Sequence, residues 1–117
     1  METLVQKWIE SLKSNKYKQG KFYLKNHDTY CATGVLGNIA KVKIDDATFL
    51  SDCNITDELR QILTCPVNDK GEVRFLEWYV IDMNDGGKSF PEIAQWLENY
   101  FFQWHLQDKD LQEQEVG

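Results

Sequence analysis

The segment Cys31-Ala32-Thr33-Gly34-Val35-Leu36-Gly37-Asn38-Ile39-Ala40-Lys41 constrains this fold more than any other stretch of the chain. Cys31, Val35 and Ile39 recur at every fourth position, with Leu36 and Ala40 beside them, which is the spacing of one helix face. That spacing predicts a short buried helix over roughly 31–41. Gly34 and Gly37 each cost about 1 kcal/mol in a helix interior relative to alanine. Such a cost is tolerated where another backbone approaches too closely for a side chain. Something must therefore pack directly on this helix.

Cys31 at the head of the helix admits two readings. A thiol at a helix N-terminus can be activated by the helix dipole, with His27 as base and Asp28 orienting it, which defines a cysteine-dependent hydrolase or transferase. Alternatively Cys31 is a small apolar residue in register with Val35 and Ile39, and free cysteine is among the most often buried residue types. The register favours packing. The remaining cysteines, Cys53 and Cys65, form no Cys-x-x-Cys pair, and His27 and His105 are far apart, so neither a disulfide framework nor a metal site is expected. Asp82-x-Asn84-Asp85-Gly86-Gly87 resembles part of a calcium loop. Its Glu92 falls one residue short of the bidentate position, and no metal or other cofactor is assigned.

With 42% hydrophobic residues in 117, the chain can bury a core without staples. One domain is expected over 1–106, followed by an acidic tail, 107–117. No run approaches a membrane span, and no basic segment followed by an apolar block opens the chain. A cytoplasmic protein with no membrane partner is expected. Its oligomeric state is left open.

Leu4, Val5, Trp8, Ile9 and Leu12 predict an amphipathic helix over about 3–14. Phe22 and Leu24 alternate with Tyr23 and Lys25, and Asn26-His27-Asp28 supplies a turn before Thr29-Tyr30, so a hairpin follows. Thr56 with Asp57-Glu58 marks a helix N-terminus that closes at Cys65-Pro66. Residues 73–83, VRFLEWYVIDM, are aromatic and β-branched and read as a strand, with a buried helix as the alternative. Ser89-Phe90-Pro91-Glu92 has the form of a capping box opening a last helix over about 90–105, with Ile93, Leu97, Tyr100, Phe101 and Trp104 as its stripe. Short interleaved elements of this kind define an α+β domain with small antiparallel sheets or hairpins.

Charge is unevenly spread. Residues 1–43 hold eight lysines against three acids, and residues 44–117 hold five basic residues against sixteen acids. The basic part is densest in KYKQGKFYLK, where Lys16, Lys18, Lys21 and Lys25 alternate with Tyr17, Phe22 and Tyr23. Cations interleaved with aromatic rings suit a phosphate-bearing, base-stacking ligand. The candidate binding residues are Lys16, Tyr17, Lys18, Lys21, Tyr23 and Lys25.

Trp8, Tyr17-Lys18-Gln19-Gly20, Cys31-Ala32-Thr33-Gly34-Val35-Leu36, Asn84-Asp85 and Ser89-Phe90-Pro91-Glu92-Ile93 together resemble the pattern of a family of small bacteriophage and prophage proteins, over about residues 4–103. The resemblance implies a phage accessory protein made in the infected bacterial cytoplasm, and it implies no specific chemistry. A binding protein is expected, acting in counter-defence by occupying a host immune protein or sequestering a nucleotide signal. The alternatives are the Cys31/His27 enzyme and an acidic DNA mimic built on residues 44–117.

Overall fold

Seven consecutive buried residues, Cys31 to Gly37, form the middle of the protein. A computed structural model describes residues 3–102. In it, helix α2 spans Ala32–Ile39 with Cys31 at its N-cap. A Cβ on Gly34 would lie 1.8 Å from the Leu24 carbonyl oxygen, and one on Gly37 would lie 2.8 Å from Ile44 Cγ2. The close backbone approach implied by the glycines is thus made at Gly34 alone, whereas Gly37 makes room for the side chains of Ile44 and Leu50.

Helix α1, Leu4–Lys13, opens on a complete capping box between Thr3 and Gln6 and buries Trp8 and Leu12. Trp8 reaches α2 with its indole N–H, which donates to the Ala32 carbonyl at 2.9 Å. Strands β1 (Lys18–Gln19), β2 (Lys25–Asn26) and β3 (Thr29–Tyr30) form one small sheet in the order β1-β3-β2. The β2–β3 hairpin turns at His27-Asp28. The β1–β3 pairing is parallel, with Lys18 opposite Thr29 and Gln19 opposite Tyr30, so the sheet is mixed and not purely antiparallel.

A single 3-10 turn at Leu50–Asp52 leads to α3, Asp57–Leu63, capped by Thr56. Strands β4 (Pro66–Asp69) and β5 (Glu72–Phe75) form a hairpin. Positive φ at both Lys70 and Gly71 gives the two-residue turn that matches strand twist. Strand structure stops at Phe75. Residues Leu76–Asp85 are helix α4, which corrects the strand expected over 73–83. Leu76, Val80 and Asn84 recur every four residues and are fully buried. Burying each apolar side chain of that face contributes about 1.5–3 kcal/mol, which outweighs a β-propensity scale spanning only about 1 kcal/mol.

Helix α5 begins at residue 90 and continues to the end of the described residues. The Ser89 hydroxyl accepts from Glu92 N–H at 3.3 Å. The reciprocal half of the box is absent among the described residues, and the Glu92 carboxylate pairs with Lys88 instead. Trp104, His105 and the acidic tail lie outside the described residues. The core joins Trp8, Leu12, Leu24, Leu36 and Leu59 to Leu76, Val80, Ile93 and Leu97 in one cluster, making a single α+β domain. No described helix is long and apolar enough to cross a membrane.

A polar clasp beneath an exposed basic and aromatic loop

Asn84 has no exposed surface, and it sits where four segments meet. Its Oδ1 accepts from Gln19 Nε2 at 3.0 Å and from the Ala32 backbone N–H at 3.1 Å, while its Nδ2 donates to the Gly20 carbonyl at 2.8 Å. Gln19 extends the network. Its Nε2 donates to the Lys88 carbonyl at 2.7 Å, and its Oε1 accepts from Phe90 N–H at 3.1 Å. Ala32 and Phe90 are the first helical residues of α2 and α5, whose leading N–H groups have no partner within the helix. Cys31 supplies no side-chain cap to α2. Asn84 and Gln19 cap the two helices from a distance, and they tie β1 to α4 and α5 in doing so. Among the described residues no buried side-chain polar atom lacks a partner, so this network is closed.

The same arrangement decides the chemistry of Cys31. The thiol is buried and lies 3.2 Å from the Thr33 hydroxyl. Burial pushes it up from its ordinary range, Thr33 and the N–H groups of Thr33 and Gly34 pull the other way, and nearby Asp85 raises it further. His27 is exposed in the β2–β3 turn at a φ of 58° and makes no hydrogen bond to Cys31. The cavity beside Cys31 measures about 10 Å³ and is lined by Phe22, Thr33, Thr48 and Asp85, among others, room for about one water. Cys53 and Cys65 are half-buried, and burial raises both thiols as well. No cluster of three or more potential metal ligands is found among the described residues.

Lysines 16, 18 and 21 and Tyr23 are exposed, while Tyr17 and Lys25 turn toward the protein. The Tyr17 ring meets Tyr30 edge-on at 5.0 Å, and its hydroxyl accepts from Asn38 Nδ2 at 2.7 Å. The Lys25 ammonium lies 5.7 Å from the centre of the Tyr30 ring and 3.9 Å from Asp45. The structure therefore gathers four of the six candidate residues on one exposed segment and uses the other two to support it.

Phe22 is one of the rings interleaved with the lysines but is absent from the six candidates, and its alternation with Leu24 also suits a core position. Leu24 is fully buried, but Phe22 is 63% exposed. A φ of 74° at Phe22 breaks the alternation. The other non-glycine residues at positive φ are Asn15, His27, Lys41, Asp46 and Lys70, and among these the bulky aromatic is the outlier. Asp85 holds the conformation, its Oδ1 accepting from Phe22 N–H at 3.1 Å. The following turn is fixed by Leu24 N–H donating to the Ala47 carbonyl at 3.1 Å. A wider, open groove of about 460 Å³ between α1, α3 and α5 is lined mainly by Leu4, Val5, Ile62, Cys65 and Phe101 and gathers no set of convergent charged groups.

Fold and surface together define a small α+β domain in which a buried amide clasp holds out a loop of rings and lysines. The chain belongs to the family described as a domain of unknown function (DUF8296), which matches residues 1–68. No curated protein and no solved structure matches it. The matched segment contains Gln19, Gly20 and the exposed loop, whereas Asn84 and Phe90, which complete the clasp, follow it.

Proposed function

We propose that this protein acts by binding, with the segment from Lys16 to Lys25 as its recognition surface and Phe22 as the anchor. The observation that carries this reading is the combination of exposure and strain at Phe22. A non-glycine residue in the left-handed region costs about 1–2 kcal/mol, and at Phe22 that cost is not recovered by burial of the ring. Strain of this kind persists where the surroundings impose it, and it concentrates at ligand-contacting positions. Asp85 and the clasp supply the imposition. A loop held in one conformation before contact loses less entropy on binding.

In the phage setting that the motif pattern implies, the protein is an accessory factor that occupies a host immune protein or a nucleotide signal. The raised thiol of Cys31 and the water-sized cavity beside it favour binding over cysteine chemistry. The ion pairs of Glu98 with Lys13, Asp82 with Arg74 and Glu92 with Lys88 neutralise part of the acidic half and favour the loop over a DNA-mimicking surface. The test uses the full chain and Phe22→Ala, matched for thermal stability, as baits in a lysate of infected bacteria. A partner held at least about 10-fold more by the parent chain is expected, as for an aromatic hot spot. Identical retention by both baits overturns the reading.

A further inference from the structure

We infer that the ligand of this loop is single-stranded nucleic acid, an inference that rests on the loop being the binding surface. Three observations select that class. Phe22 and Tyr23 are consecutive rings, 63% and 50% exposed, and every nucleobase offers a flat face to such rings. Lys16, Lys18 and Lys21 are exposed, and none makes an ion pair with a carboxylate among the described residues, whereas Lys13, Lys25 and Lys88 each do. These cations precede β1, lie on it and follow it, so they are strung along one stretch of chain. A line of positive charge along the chain that carries two exposed rings complements a polyphosphate backbone carrying bases.

An acidic peptide would satisfy the lysines and leave both rings without a flat partner. A mononucleotide would engage one base and one cluster of phosphates, not a row. Duplex DNA keeps its base faces stacked on one another and offers the rings none. Asp85, beside Phe22, is already occupied by the Phe22 N–H, and Asp45 by Lys25. Asp45 is thereby paired, whereas the Asp85 carboxylate, bonded to a neutral N–H, keeps its charge, and the lysine and stacking contacts must outweigh its repulsion.

Fluorescence anisotropy with labelled single strands of about ten nucleotides, a length within the usual site sizes, tests this on the full chain. Three lysine contacts to a single strand predict a salt slope near −2, so affinity falls about 20-fold between roughly 50 and 200 mM salt, and only about 7-fold in Lys18→Ala. Phe22→Ala loses about 5- to 150-fold at either salt concentration and leaves the slope unchanged. Mononucleotides and a polyglutamate peptide serve as the other ligands, and each binds far more weakly than the strand if the inference holds. Equal binding of a mononucleotide, or tighter binding of polyglutamate, overturns it. So does the absence of strand binding in a chain that still captures a Phe22-dependent protein partner; that result leaves the loop's binding role standing. Loss of Phe22 dependence in both assays removes the two together.

Discussion

Gly34 sets the distance between α2 and the chain that precedes the β2–β3 hairpin. The obstacle to a side chain there is the Leu24 carbonyl at 1.8 Å, a backbone atom that no rotamer change can move aside. Gly34→Ala is expected to lose about 3 kcal/mol or more, at the upper end of overpacking costs, as read by urea denaturation. A loss below about 1 kcal/mol, the ordinary scale of a small core change, would mean that the backbones are not in contact. This contact was legible in the sequence, since two glycines inside an apolar helix point to a close backbone approach. Phe22 was legible as a ring that could stack, but its outward facing was not, because alternation describes regular strands and a single positive φ reverses the facing of one residue. At Tyr100, burial and the neighbouring Cys65 push the phenol up from 10 to about 12, and its hydroxyl donates to the Pro66 carbonyl at 2.5 Å. The folded chain therefore holds this proton more tightly than the unfolded chain. Its contribution to stability is complete below about pH 10 and is lost as pH rises toward about 12. Thermal melts across that range should show a decline that Tyr100→Phe flattens, and an unchanged slope in that variant would contradict the assignment.

The elements are joined more by side-chain amides than by strand pairing. With strands of only two residues in the mixed sheet, β1 is held mainly because Gln19 reaches the start of α5 and the end of α4. Removing the Asn84 side chain leaves Ala32 N–H and the Gly20 carbonyl without their partners, which costs about 1–3 kcal/mol for each buried group. Gln19→Ala and Asn84→Ala are expected to be non-additive by about 1 kcal/mol or more in a double-mutant cycle, as for residues in one network. Additivity within about 0.3 kcal/mol would show that they act separately. Gln19, Gly20, Asn84 and Phe90 all fall within the motif pattern visible in the sequence, yet nothing in their spacing states that they touch. Contacts separated by more than sixty positions carry no local periodicity. The strand expected over 73–83 fails for a related reason: aromatic and β-branched letters describe a half-buried pleat, whereas the core offered Leu76, Val80 and Asn84 a helix-shaped seat.

At the scale of the whole molecule, the core and the clasp both cross the end of the matched family segment at residue 68. Trp8 and Leu36 pack in the same cluster as Val80 and Leu97, so the segment that carries the loop depends on the segment that carries Asn84. The α+β class and most helix positions were legible, because capping residues and apolar spacing are local signals. The surface was legible in composition but not in facing. In the proposed reading, the fold sustains Phe22 outward for the sake of a ligand and at some cost to itself. Phe22→Gly tests this most directly. Glycine removes the left-handed strain of about 1–2 kcal/mol and gives back about 0.5–1 kcal/mol as chain entropy. Urea denaturation of the full chain should therefore find the variant as stable as the parent or up to about 1.5 kcal/mol more stable, and single-strand anisotropy should find its affinity reduced at least about 5-fold. A variant destabilised by about 2 kcal/mol or more, the cost of losing a buried aromatic contact, would contradict that reading by making Phe22 a core residue.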